Sequence, residues 1–123
     1  MKLSPSQTDE DSLAQLAAEA VNLVESRNFS ALAERFGYAL AFGRDVEQAI
    51  KEDFEQCLNE SEKPSTKNSK SIQVKYFQPN EIPLFALVEC TTPISDSLSV
   101  SIDLVVAGDD EKYMTLEGIS YVA

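Results

Sequence analysis

Three carboxylates carry the chemistry this sequence could perform: Glu89, Asp103 and Glu117, each set in a stretch whose apolar residues favour a strand. If the chain reverses symmetrically about residue 110, Asp103 lies directly across from Glu117 on the adjacent strand. Like charges so placed repel, and two close carboxylates raise the pKa of one of them, as in a general acid paired with a base. On a polar face shared with Ser99 and Ser101 the same carboxylates are instead solvated, or meet the cations of a binding partner. Glu89 has Phe85, Leu87 and Val88 beside it. It either reaches water at a strand end or lines the mouth of a pocket, against a cationic or hydroxylated ligand. Tyr38, Tyr76 and Tyr121 are cavity-lining phenols or plain core aromatics. Tyr38 joins Glu89, Asp103 and Glu117 as a candidate ligand- or partner-binding residue.

Other chemistries are removed by composition. The 123 residues include no histidine, so this chain holds no Ser-His-Asp triad, Cys-His pair, histidine zinc site or histidine general base. Only four glycines occur, without a P-loop or a Gly-x-Gly-x-x-Gly run. Cys57 and Cys90 show no Cys-x-x-Cys spacing and read as reduced thiols in or near the core. No catalytic residue, metal or cofactor is expected.

Acidic residues outnumber basic ones 21 to 10, giving a net charge of −11 and a pI near 4.3. Such a surface repels phosphate backbones, which disfavours nucleic acid as a partner. It confers solubility, and it would also steer a basic protein toward the chain. Residues 1–12 have no apolar centre, and no stretch approaches the ~18 apolar residues of a membrane span. A cytoplasmic protein without membrane contact is expected.

The elements that must position these residues fall into two blocks. Residues 1–8 are expected as a flexible N-terminus and 9–123 as a single α+β domain. Thr8 is a plausible N-cap ahead of Asp9, Glu10 and Asp11, and Leu13, Leu16, Ala17, Ala20, Val21 and Val24 repeat at helical spacing. A shorter helix, capped by Ser30, carries Phe29, Leu32, Ala33 and Phe36 inward and ends at Gly37. Tyr38 to Phe42 reads as a short extra strand. Asp45 then caps a third helix, with Gln48 placed to close a capping box and Val46, Ala49, Ile50, Phe54, Cys57 and Leu58 on its apolar face.

Residues 59–71 form a polar loop without an apolar side chain. From Ile72 the period becomes two. Four strands come next, with turns at Gln78–Glu81, Pro93–Asp96 and Gly108–Glu111 and a bulge at Gly118. The second, residues 82–92, is apolar on both sides and suits a central strand covered on both faces. The expected fold is three helices packed on a curved four-stranded antiparallel meander.

This order resembles the nuclear transport factor 2-like superfamily, in which a long helix precedes a short one patterned like Asn28-Phe29-Ser30-Ala31-Leu32-Ala33-Glu34-Arg35-Phe36. The segment Tyr38 to Phe42 is similar to the short strand of that superfamily, and Gly43 to Ala49 and Ile50 to the opening of its third helix. The resemblance implies a cystatin-like cone, a sheet folded about a cavity, often with a second copy against the sheet. Its members span isomerases, small-ligand binders, protein-binding modules and immunity proteins. Members similar to ketosteroid isomerase place an acid or histidine on the short strand, where this chain has Ala39, Ala41 and Phe42.

The expected function is a non-enzymatic acidic module that binds a basic protein, as an immunity or inhibitor-type protein does. The alternatives are a small-molecule binder or weak catalyst using the cone pocket, and a structural subunit dimerising through its sheet.

Overall fold

The computed structural model describes residues 1–59, 69–78, 83–95 and 98–122. Most of the expected polar loop, the turn residues Pro79, Asn80 and Glu81, and Asp96 lie outside the described residues.

Helix α1 runs Glu10–Glu25, and the six residues picked out by spacing are the six it buries. Its N-cap is Asp9, one residue later than expected, whose carboxylate accepts the Ser12 N–H; the Thr8 hydroxyl instead donates to Pro5 O. Helix α2, Phe29–Phe36, is capped by the Asn28 side chain, which accepts from Ala31 N, and not by Ser30. It stops at Gly37, whose φ of 70° lies in the left-handed region. Helix α3, Val46–Asn59, starts at Asp45 as expected, with Asp45 Oδ2 accepting from Gln48 N at 3.1 Å. The return half of a capping box is not made, because Gln48 Nε2 donates forward to Glu52.

Strands β2 (Ser71–Tyr76), β3 (Leu84–Ser95), β4 (Leu98–Ala107) and β5 (Lys112–Val122) form the expected antiparallel meander. The sheet has a fifth strand, so four is corrected to five: β1, Lys2–Leu3, pairs with β5 at Tyr113 and Lys112 and gives the order β1-β5-β4-β3-β2. Residues 1–8, expected to be flexible, thus hold β1, the buried Leu3 and a 3-10 turn at Pro5–Gln7. The short extra strand after α2 is corrected to a single parallel bridge, Tyr38 to Leu116, with Ala39 N donating to Leu116 O at 2.9 Å. Beyond it the chain turns, since Ala41 N reaches back to Tyr38 O.

All three helices pack on one sheet face, α1 over β2 and β3, α2 and α3 over β5. Ala86, Val88, Cys90, Val100, Ile102, Leu104, Val106, Met114 and Leu116 point to that side and are fully buried. They meet Leu13, Leu32, Phe36, Ile50 and Phe54, so the interior between the layers is occupied by side chains. The alternate residues of β3, including Leu87, Glu89 and Thr91, are only half-buried. Among the described residues no helix covers that face, which corrects the expectation that β3 is covered on both sides. No helix of the described residues is long and apolar enough to cross a membrane.

Candidate functional site

The open sheet face gathers the sequence candidates. Glu89 on β3 is directly opposite Asp103 on β4. Asp103 in turn pairs with Gly118 on β5. The hairpin turns about residue 110 as expected for Leu104↔Leu116 through Ala107↔Tyr113, and a register shift between Asp103 and Leu104 then leaves Glu117 as the extra residue beside Gly118. Glu117 is therefore displaced from direct opposition to Asp103. Gln73 of β2 sits opposite Glu89, so Gln73, Glu89, Asp103 and Glu117 cross four strands in one row.

Charges in this row perturb one another. Burial, followed by the fields of Glu89 and Glu117, raises the Asp103 pKa above its ordinary value. Glu89 has a counter-ion: Lys75 Nζ on β2 lies 3.0 Å from its Oε1, with the lysine and glutamate side chains 56% and 40% exposed. At that exposure the ion pair is worth well under ~1 kcal/mol. Among the described residues Asp103 receives no such contact, and like charges opposed across strands destabilise a sheet. The row makes an anionic strip in which Glu89 and Asp103 are half-buried and Glu117 is exposed.

Tyr38 lies elsewhere, bridged to Leu116 midway along β5. It is 7% exposed, and its hydroxyl donates a short hydrogen bond to Asp53 Oδ2 on α3. Arg44 completes the cluster: Nη1 is 3.2 Å from Asp53 Oδ1 and 3.1 Å from Glu52 Oε2, while Nη2 and Nε donate to the carbonyls of Leu40 and Ala41 at 2.7 and 2.9 Å. Burial and the adjacent Asp53 raise the Tyr38 phenol far above its ordinary value. Burial also pushes Asp53 upward, but the hydrogen bonds from Arg44 and Tyr38 outweigh it and hold Asp53 below its ordinary value. The result is an ionised, internally compensated acid and a neutral phenol.

The structure thus brings Glu89, Asp103 and Glu117 together and leaves Tyr38 apart. Tyr38 and Asp53 line a hollow of about 260 Å³ with Leu40, Gln56, Cys57, Ile119 and Ser120. A second hollow of about 450 Å³ lies between β1 and the β4–β5 turn, lined by Lys2, Leu3, Glu111 and Lys112 among others. Neither includes Glu89, Asp103 or Glu117. Of the other tyrosines, Tyr76 is 47% exposed and donates to Thr8 O, and Tyr121 packs against the core. Cys57 and Cys90 are buried thiols, and burial followed by the charge of Asp103 pushes Cys90 up to about 12.

Sequence reasoning missed the roles of Arg44 and Asp53. Their signal is an arginine just before a helix with acids eight and nine residues on, which gains meaning only once the 38–44 segment folds back on α3. In comparison with known proteins, the chain matches no protein-family model, no curated protein and no solved structure.

Proposed function

We propose that this chain is a non-enzymatic, acidic protein-binding module, of the immunity or inhibitor kind, that presents the open face of its sheet to a basic partner in the cytoplasm. The observation that carries this reading is the row of Glu89, Asp103 and Glu117 on a face that no helix covers among the described residues. A directly opposed Glu89–Asp103 pair works against the sheet, and among the described residues the contacting cation, Lys75, is on Glu89 and not on Asp103. A partner bearing cations would convert that repulsion into attraction and, at a net charge of −11, be steered toward it. The nuclear transport factor 2-like resemblance belongs to the proposal, supported by the element order.

A small-ligand reading has one specific support, the hollow beside Tyr38 and Asp53. The compensation of Asp53 by Arg44 leaves little charge there to select a ligand. Dimerisation through the sheet would set the carboxylate row of one copy against that of another, which weighs against it near neutral pH.

The test is the association rate of a nine-arginine peptide with the wild-type chain and with Asp103→Asn/Glu117→Gln. Between about 0.01 and 0.15 M salt the screening length falls from about 30 to 8 Å, so the wild-type rate should fall steeply. The double variant should associate more slowly at low salt. A rate indifferent to salt and to both substitutions would refute the reading.

A further inference from the structure

Among the described residues, Phe42 is the large apolar side chain that the fold buries least. It is 80% exposed, by far the most exposed of the large hydrophobic residues described, and Leu40 two positions earlier is 36% exposed. Its backbone is in the left-handed region at φ 51°, where a bulky residue is disfavoured and glycine is at home. Burial gives Phe42 no compensation for this conformation.

The segment bearing Phe42 is clamped. Ala41 N donates to Tyr38 O, Arg44 N donates to Ala41 O, and the Arg44 guanidinium holds the Leu40 and Ala41 carbonyls while ion-pairing with Glu52 and Asp53 on α3. An aromatic ring held out by a braced backbone loses little freedom on binding, the property of interface anchors.

The surroundings fix the kind of partner. The segment runs along the edge of β5: Tyr38 bridges Leu116, and the Leu40 side chain comes within 3.8 Å of where a Cβ on Gly118 would stand. It therefore abuts the Glu117 end of the carboxylate row. On its other side Asp45 and Glu47 are exposed at the start of α3, and Glu52 lies further along the same helix. Of the cations near these acids, Arg44 is engaged by Glu52 and Asp53, and the exposed Lys51 lies one turn after Glu47 on α3.

We infer that Phe42, backed by Leu40, is the apolar anchor of the binding surface, entering an apolar slot on a basic protein whose cations meet Glu117 and, behind it, Asp103 and Glu89. This rests on the proposed function and adds to it the residue that should dominate affinity, as the carboxylates govern encounter.

Random peptides of about a dozen residues, displayed on phage and selected on the wild-type chain, provide the probe. Affinities of the selected peptides are then measured for Phe42→Gly, Phe42→Asn and the triple variant Glu89→Gln/Asp103→Asn/Glu117→Gln. Glycine and asparagine both accept a left-handed backbone, so the Phe42 variants should unfold at a urea concentration no lower than wild type. The expected result is peptides combining Lys or Arg with an apolar residue that bind both Phe42 variants about tenfold or more weakly and the triple variant more weakly as well.

Peptides that lose affinity for the triple variant but not for the Phe42 variants would overturn the anchor and leave the proposed function standing. Loss with the Phe42 variants alone would overturn the basic partner and with it the proposed function. Selection of no peptide, or of peptides indifferent to every variant, would overturn both. A wild-type dimer in sedimentation velocity that Phe42→Gly abolishes would assign the anchor to a second copy and overturn the inference.

Discussion

Replacing Asp103 by asparagine should make the protein more stable, which is unusual for a half-buried residue in a central strand. Asp103 faces Glu89 directly and Glu117 across the bulge. Each opposed like-charge pair on a sheet costs about 0.2–1 kcal/mol, and Lys75 already offsets part of the Glu89 charge. Removing one charge from the row should therefore gain about 0.5–1 kcal/mol. With a urea m-value of about 1.5 kcal/mol per M, the midpoint rises by roughly 0.3–0.7 M.

The gain has a pH signature. Because the folded Asp103 carboxyl is raised above its ordinary value of 3.8, the native state binds that proton more tightly than the unfolded chain. The stability this contributes is fully present below 3.8 and lost as pH rises through the raised value. Asparagine mimics the protonated acid. Its advantage over wild type should be full near neutral pH and shrink as pH falls toward 3.8 and below. Urea titrations of both proteins across this range check it. An Asp103→Asn protein that is less stable near neutral pH, or whose gain does not change with pH, would refute the reasoning.

Three further outcomes are expected from the packing. Tyr38→Phe deletes a buried donor to Asp53 and should cost about 1–2 kcal/mol, read as a Tm lowered by roughly 5 °C; an unchanged Tm would contradict it. Arg44→Gln removes the partner that depresses Asp53, whose contribution is present above its ordinary 3.8 and lost as pH falls through its lower folded value. The variant should be less stable near neutral pH, with the gap to wild type closing in acid, measured by urea unfolding at several pH values. Gly108→Ala should cost more than about 2 kcal/mol, because a Cβ there would stand 1.9 Å from the Glu111 carbonyl oxygen at a φ of +128°. A urea midpoint close to wild type would contradict it.

The periodic elements were legible in the sequence because their partners are one face each. The spacing of Leu13 through Val24 identifies the buried side of α1, and the symmetric reversal about residue 110 reproduces the pairing from Ala107 to Leu104. Features that depend on tertiary partners were not legible. Lys2–Leu3 is too short to show a period and becomes a strand only because β5 offers an edge. Tyr38 to Phe42 is apolar enough for a strand, yet Arg44 takes its carbonyls and turns it, leaving Phe42 in water. Thr8 and Ser30 are good caps in sequence, but Asp9 and Asn28 hold the positions from which a side chain reaches the first free N–H groups. The candidate site was half legible: the strand periods put Asp103 and Glu117 near each other, whereas the Glu89–Asp103 opposition required the β3–β4 register, which no local pattern sets.

Where cations bind on this protein can be mapped directly. Amide shifts in a uniformly ¹⁵N-labelled sample titrated with the nine-arginine peptide report this residue by residue. The largest changes are expected on the sheet face that carries the carboxylates, at Gln73, Leu87, Glu89, Ser101, Asp103 and Glu117, and they should collapse on adding salt. Shifts concentrated instead on the exposed acids of the helices, such as Glu19, Glu34 and Glu55, or spread evenly over the surface, would contradict a basic partner on the sheet face.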